Sequence, residues 1–266
     1  MSRNEKFNLI IQLSIPSILA QVTTVLMFYI DAGMVGSLGA EPSAAIGLVE
    51  PATWLFFSLV SAVTMGFSVQ VAHFIGANDF PKARAVMRHG YAFGLCFALF
   101  LLLITFLIGS RLPVWLGGGA DIQHDATVYF LIFSLIIPFH LIEYMSAAML
   151  KVSGDMRRPS LMAILMCVLD VIFNYFFIFP TRTVSLLGVE MTMPGLGEGV
   201  AGAALGSLLS FVCVALSLAY YAIFRSPILA WKQDVERFVW RWQYIWNAMK
   251  IGAPMALQYL LMNGAQ

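Results

Sequence analysis

Apolar residues in this chain neither alternate as in a half-buried strand nor mark one face of a water-soluble helix; they fill long runs separated by short polar segments. The runs are Leu9 to about Leu38, Ile46 to Ile75, Val86 to Ile108, Val128 to Leu150, Leu161 to Phe179 and Val200 to Phe224. A seventh opens near Trp246 and is still running at Gln266. A helix needs about 20 apolar residues to cross a bilayer, because in hydrocarbon every backbone polar group must pair within the segment. The pattern predicts an all-α, polytopic membrane protein: a six-helix transmembrane bundle plus part of a seventh helix. The first two runs are longer than a bilayer requires and should tilt or project from it, and Pro16 should bend the first. A cleaved secretory signal is not the reading, since such a signal has an apolar core of about 7 to 15 residues and this run is far longer and carries Pro16 and Asp31.

Composition sharpens the picture. Of 266 residues 60% are hydrophobic and 11% charged, against roughly 25% charged in an ordinary soluble domain. With 15 Lys and Arg against 14 Asp and Glu, the net charge of +1 gives no basic domain for nucleic acid. Cys96, Cys167 and Cys213 are odd in number and sit inside apolar runs, so they read as small hydrophobes rather than a disulfide framework.

The cations set the topology. Arg3 and Lys6 precede the first run; Lys82, Arg84 and Arg88 lie in the second loop, Lys151, Arg157 and Arg158 in the fourth, and Arg225, Lys232, Arg237, Arg241 and Lys250 in the sixth. The alternate loops hold only Arg111 and Arg182. The positive-inside rule then places the N-terminus and the even loops in the cytoplasm. An even number of spans separates the first run from the seventh, so a repeat would be parallel. Ser14 to Leu19 (SIPSIL) lines up with Gly252 to Leu257 (GAPMAL), Pro16 on Pro254. Residues 1–225 read as one lobe, 226–245 as a cytoplasmic linker and 246–266 as the start of a second, incomplete lobe; a matching second lobe implies a full length of roughly 470 residues. Tryptophans mixed with Lys232, Arg237 and Arg241 between Trp231 and Trp246 predict a helix lying in the membrane interface.

Gly197 to Gly202 fits G-x-G-x-x-G, but that motif binds a dinucleotide only in a βαβ unit. Here it opens a membrane span, and Gly202, Ala203, Gly206, Ser207 and Ser210 read as a small-residue face for close helix packing, as do Gly90 and Gly94 in the third span. His73, His89, His124 and His140 lack ligand spacing, and no metal site or nucleophile constellation emerges.

Ionisable groups inside spans are the informative exceptions, because charge in hydrocarbon is costly and such groups face a cavity or a partner. Asp31 lies roughly 33 Å along its helix, which leaves an interfacial aspartate as the plain alternative. Asp170 is central in the fifth span, with Asn174 one turn further on the same face. His140 and Glu143 are three apart in the fourth span and suited to pair with each other, while Glu50 beside Pro51 reads as interfacial. No Lys or Arg lies inside a complete span, so a cavity among these helices is acidic and favours cations. Fifteen Met and twenty-one Phe supply apolar surface that adapts to varied ligands.

The sequence resembles the multidrug and toxic compound extrusion (MATE) family. The likeness rests on PSILAQ at Pro16–Gln21, IDAGMVGSLGA at Ile30–Ala40, IGAND at Ile75–Asp79, LKVSGDMRRP at Leu150–Pro159, LDVIFNYFFIF at Leu169–Phe179 and GVAGAALGS at Gly199–Ser207. It implies the first lobe of a twelve-helix antiporter that exports cationic or amphipathic small molecules by alternating access. The coupling ion would be H⁺ or Na⁺, with no other cofactor and no enzymatic activity, and the setting a bacterial inner membrane. The cation-coupling residues would be Asp31, Asp170 and Asn174, with Na⁺ accommodated at Asp31 and Asp170, and Ser207, Glu143 and His140 as candidate cavity residues. Two features depart from the family pattern: Asp170 and Asn174 stand in the order opposite to the usual Asn-then-acid, and Met262 replaces a glutamate found in one branch. With Asp31 these point to the DinF-like branch. A flippase of the same superfamily is the alternative, but it would need cavity cations for a pyrophosphate; an intramembrane enzyme or receptor lacks the residues at depth.

Overall fold

A computed structural model describes residues 3–186, 189–233 and 239–264, with side chains for all of these except 3–6, 8–13, 183–193, 233, 263 and 264. Helices α1 (Arg3–Gly36), α2 (Ala40–Gly76) and α3 (Phe80–Ile108) are followed by a single turn, α4 (Leu112–Trp115). Next come α5 (Gln123–Ser134), α6 (Ile136–Val152) and α7 (Arg157–Ile178), a hairpin of β1 (Pro180–Leu186) and β2 (Val189–Leu196), then α8 (Gly199–Tyr220) and α9 (Trp242–Gly264). Five helices are long and apolar enough to span a membrane, and α5 with α6 makes a sixth span bent by 40°.

Each apolar run became a helix, with three local differences. The fourth span breaks at Leu135 because Pro138 has no N–H to offer the carbonyl one turn earlier. Pro16, by contrast, lies inside α1 without ending it. The loop after α7 forms an antiparallel hairpin, whose Thr181 hydroxyl and Gly195 backbone bond each other at 3.1 Å. The interface-lying helix expected between Trp231 and Trp246 is not found among the described residues: a 3₁₀ turn spans Trp231–Gln233, α9 starts only at Trp242, and residues 234–238 lie outside the description.

The basic loops converge on one end of the bundle. At the α2–α3 turn Asn78 takes a left-handed conformation (φ 56°) and Asp79 caps α3 through the Lys82 N–H. The α6–α7 turn repeats this with Gly154 (φ 90°), and Asp155 accepts from the Arg158 N–H. The hydrogen bond from the Lys82 ammonium holds Asp79 below its ordinary carboxylate pKa. The chain after α8 is fastened across this end: Arg84 Nη1 donates to Ile228 O (3.0 Å), Arg88 Nη2 to Trp231 O (3.1 Å), and the Arg158 guanidinium covers the Tyr221 ring. His89 Nδ1 bonds Ala85 O at 2.7 Å, which leaves Nε2 to accept the Arg241 N–H at 2.8 Å.

Small residues set the closest approaches. Gly94 packs on Leu141 and Gly90 on Phe67. Gly66 of α2 lies against the Ala248 carbonyl and Gly252 of α9 against that of Ala62, and Gln70 Nε2 donates to Tyr244 O at 3.0 Å. Gly197 (φ 74°) and Gly199 (φ 55°) turn the chain into α8, and the Gly197 and Glu198 N–H groups bond Phe179 O and Phe177 O. Those two donors are spent on carbonyls at the end of α7, so the glycine motif serves as a helix-packing turn.

Candidate functional site: an acidic cavity between α1, α2, α6, α7 and α8

Helix α1 presents a narrow face to the bundle. Its only buried residues among those described are Met27 and Val35, and Asp31 falls midway between them, one turn from each. Asp31 therefore faces the bundle and the cavity beside it. On α7 the buried face is Met166, Asp170, Asn174 and Ile178, a strict i, i+4 series, with Asp170 0% exposed and Asn174 2%. Helix α8 supplies Gly202, Ala203, Gly206, Ser207 and Ser210. A Cβ on Gly206 would stand 2.1 Å from Asn174 Oδ1, so only glycine admits α7 here.

These helices bring three polar side chains into one cluster. Asn174 Nδ2 spends one hydrogen on Asp31 Oδ1 and the other on Asp170 Oδ2, both at 3.0 Å. Ser210 Oγ lies 3.1 Å from Asp170 Oδ1 and 2.8 Å from Ser207 O. Asn174 Oδ1 is buried and has no donor. The amide thus bridges two carboxylates from different helices and leaves its own oxygen as a further acceptor beside them.

The cluster borders a cavity of about 620 Å³ lined by Asp31, Asn174 and Ser207 on one side and by His140 and Glu143 on another. His140 Nδ1 and Glu143 Oε2 are 3.9 Å apart, which is contact without a hydrogen bond. The ring of His140 instead stacks on Phe57, with centroids 4.4 Å apart.

Four lining or supporting residues were missed or assigned otherwise from the sequence. Glu50 reaches the cavity, where its Oε1 accepts from Trp54 Nε1 (3.2 Å); the i, i+4 carboxylate–indole spacing was the available signal. Tyr129 also lines it, without a signal that separates it from other aromatics. Ser210 had been grouped with the packing face, and Lys151 lies one residue beyond the apolar run yet lines the cavity at its basic end. Among the described residues no group of three or more His, Cys, Asp or Glu is placed to hold a metal ion, and the three cysteines are free.

A family model described as MatE matches residues 16–176. Among curated relatives, a probable multidrug resistance protein NorM of Neisseria meningitidis serogroup A is 25% identical over 98% of this chain and 54% of its own length. The FAD transporter of Shewanella oneidensis is 24% identical over 95% of the chain and 53% of its own, and the multidrug export protein MepA of Staphylococcus saprophyticus 21% over 98% and 54%. The chain spans about half the length of these relatives. Among solved structures, the outward-facing conformation of a multidrug resistance MATE family transporter of the MOP superfamily superposes with a TM-score of 0.83 at 24% identity, over 95% of this chain and 52% of that one. The fold is therefore that of the MATE transporters, which are not enzymes. This chain, a multi-pass membrane protein, belongs to the MatE family.

Proposed function

We propose that the chain forms the ion-handling lobe of a secondary active transporter that exports cationic or amphipathic small molecules in exchange for H⁺ or Na⁺ by alternating access. The observation that carries this reading is the Asn174 amide joining Asp31 of α1 to Asp170 of α7 at the cavity edge. Two carboxylates that share one amide, one of them fully buried, hold a proton or a small cation between them, because the uncompensated second charge is costly there. Separating α1 from α7 removes that arrangement, so ion occupancy and helix position are linked. Asn174 Oδ1 and the neighbouring serines supply the further oxygens that a bare Na⁺ requires.

Charge in the cavity supports a cationic cargo: Asp31, Glu50 and Glu143 line it against one cation, Lys151. A lipid-linked pyrophosphate, or a flavin dinucleotide such as the Shewanella relative's name indicates, would meet repulsion there. The convergence of the even loops supports the positive-inside orientation, with the N-terminus in the cytoplasm and the setting a bacterial inner membrane. Pro16 and Pro254 each fall in the fourth turn of their helices. That correspondence supports residues 1–225 as one lobe, 226–245 as linker and 246–266 as the opening of a second lobe that is the lobe's partner. Asp31, the acidic α7 face and Met262 favour the DinF-like branch.

The test uses the full-length protein in proteoliposomes with imposed H⁺ or Na⁺ gradients. The single variant Asp170→Asn leaves no carboxyl on the α7 face and should abolish export. The double variant Asp170→Asn with Asn174→Asp keeps one carboxyl and one amide, displaced by about 5.4 Å, and should retain substantial export. Wild-type export by the single variant would overturn the role of Asp170.

A further inference from the structure

The apolar span of α8 runs on to Arg225, and its last turn, Tyr221–Arg225, is a π turn in which the Ser226 N–H bonds Tyr221 O at 2.9 Å. The wider turn changes which side chains share a side. In an α-helix a residue five positions on points away, whereas closing the turn over five residues carries Arg225 back toward Tyr220. Tyr220, Phe224 and Arg225, together with Lys232 from the 3₁₀ turn that follows, line a recess of about 290 Å³.

This recess opens where the membrane ends. Leu209, Leu216, Tyr220 and Phe224 are apolar yet exposed and lie along one face of α8. On a spanning helix such a face meets acyl chains, and the rings of Tyr220 and Phe224, 5.5 Å apart, stand at the level where aromatic residues border the headgroups. Several cations at this end are engaged by the protein itself: Lys82 by Asp79, Arg158 by Asp155 and the Tyr221 ring, Arg84 and Arg88 by backbone carbonyls of the following chain. Arg225 and Lys232 meet instead at the recess, and no carboxylate lines it among the described residues.

We propose that this recess binds the headgroup phosphate of an anionic phospholipid, held between Arg225 and Lys232, with the acyl chains lying along the Leu216–Tyr220 face of α8. The two cations match a phosphodiester, and a basic pocket beside a spanning helix is the setting in which such headgroups are held. Charge and apolar contact act together, which separates this ligand from free phosphate, with no chains, and from a zwitterionic lipid, whose own cation cancels the attraction. Bound there, the phosphate ties the last residue of α8 to the 3₁₀ turn of the chain leading to α9, beside the fastenings from Arg84 and Arg88. The recess shares no lining residue with the acidic cavity, and the proposal needs only that α8 spans the membrane.

The test is native mass spectrometry of the purified full-length protein in detergent, titrated with dioleoylphosphatidylglycerol or dioleoylphosphatidylcholine, with melting temperature recorded for every variant. The wild type should bind phosphatidylglycerol at least tenfold more tightly than phosphatidylcholine. Arg225→Gln and Lys232→Gln should each raise the Kd for phosphatidylglycerol several-fold, and the double variant at least tenfold, with binding of phosphatidylcholine unchanged. Arg157→Gln removes an exposed cation at the same end but outside the recess and should stay within twofold of wild type. Inorganic phosphate should not displace the lipid. The proposal is overturned if the two lipids bind equally or if the folded double variant binds phosphatidylglycerol as wild type does. It also fails if Arg157→Gln weakens binding as much as Arg225→Gln, which would make general positive charge sufficient, or if inorganic phosphate competes, which would assign the recess to a soluble anion.

Discussion

Gly206→Ala tests whether the carboxylate cluster depends on the closeness of α7 and α8. The added Cβ would stand 2.1 Å from Asn174 Oδ1, 2.8 Å from its N and 3.0 Å from its Cα, where carbon contacts settle at about 3.5 to 4.0 Å. Rotation of the amide relieves the first contact only by withdrawing Nδ2 from Asp31 and Asp170. The other two involve backbone, so α8 must also back away by roughly 0.5 to 1 Å to restore normal contact. Overpacking of this kind costs about 1 to 3 kcal/mol, more than the roughly 0.5 to 1 kcal/mol that alanine gains over glycine inside a helix. Gly33 is the control: it lies two residues from Asp31 on α1, and nothing stands within 4 Å of a Cβ there. Measured on the full-length protein, Gly206→Ala should lower the melting temperature by several degrees and remove most gradient-driven export. Gly33→Ala should keep both. If Gly206→Ala melts and transports like Gly33→Ala, the cluster does not depend on the close helix contact and the reasoning fails.

Two further predictions concern the basic end of the bundle. His89→Phe preserves an aromatic ring against Tyr244 and Trp240 but leaves the Arg241 N–H without its acceptor; a hydrogen bond of this kind contributes about 0.5 to 1.5 kcal/mol, so the full-length variant should melt earlier and be cleaved faster by protease between α8 and α9, and unchanged cleavage would remove the clamp. For topology, cysteines replacing Ala120 and Lys82, both exposed and at opposite ends, should differ: an impermeant thiol reagent added to intact cells should label the first and spare the second.

Depth along a span was legible in the sequence, and direction around the helix was not. The apolar runs predicted every spanning helix because hydrocarbon demands length. The i, i+4 spacing of Asp170 and Asn174 also told correctly that they share a face. For Asp31 the same method offered only a distance along α1, which left an interfacial position open beside an inward-facing one. Its inward aim is known from Met27 and Val35, and their burial depends on what α1 packs against. His140 and Glu143, which local spacing pairs, do meet at 3.9 Å. What the spacing could not show is that Phe57, about 80 positions earlier and on α2, stacks on the imidazole face. The break at Leu135 was hidden for a third reason, since Pro138 sits within one apolar run long enough to be read as a single unbroken span.

The small residues and the charged ones, read separately in the sequence, form one arrangement. Asp170 is fully enclosed, and the groups that solvate its carboxyl include the Asn174 amide and the Ser210 hydroxyl. Both reach it because Gly206 and Gly202 let α8 lie against the α7 backbone. That half of the site is rigid by packing. Asp31 belongs to a helix that buries just two of its described side chains, and one amide hydrogen bond holds its carboxylate to α7. On the proposed function, a change of ion at the cluster alters the link between a tightly packed pair of helices and a loosely packed one. The response falls on α1, because it has the least buried surface to resist displacement, and α1 is also the wall through which Asp31 meets the cavity.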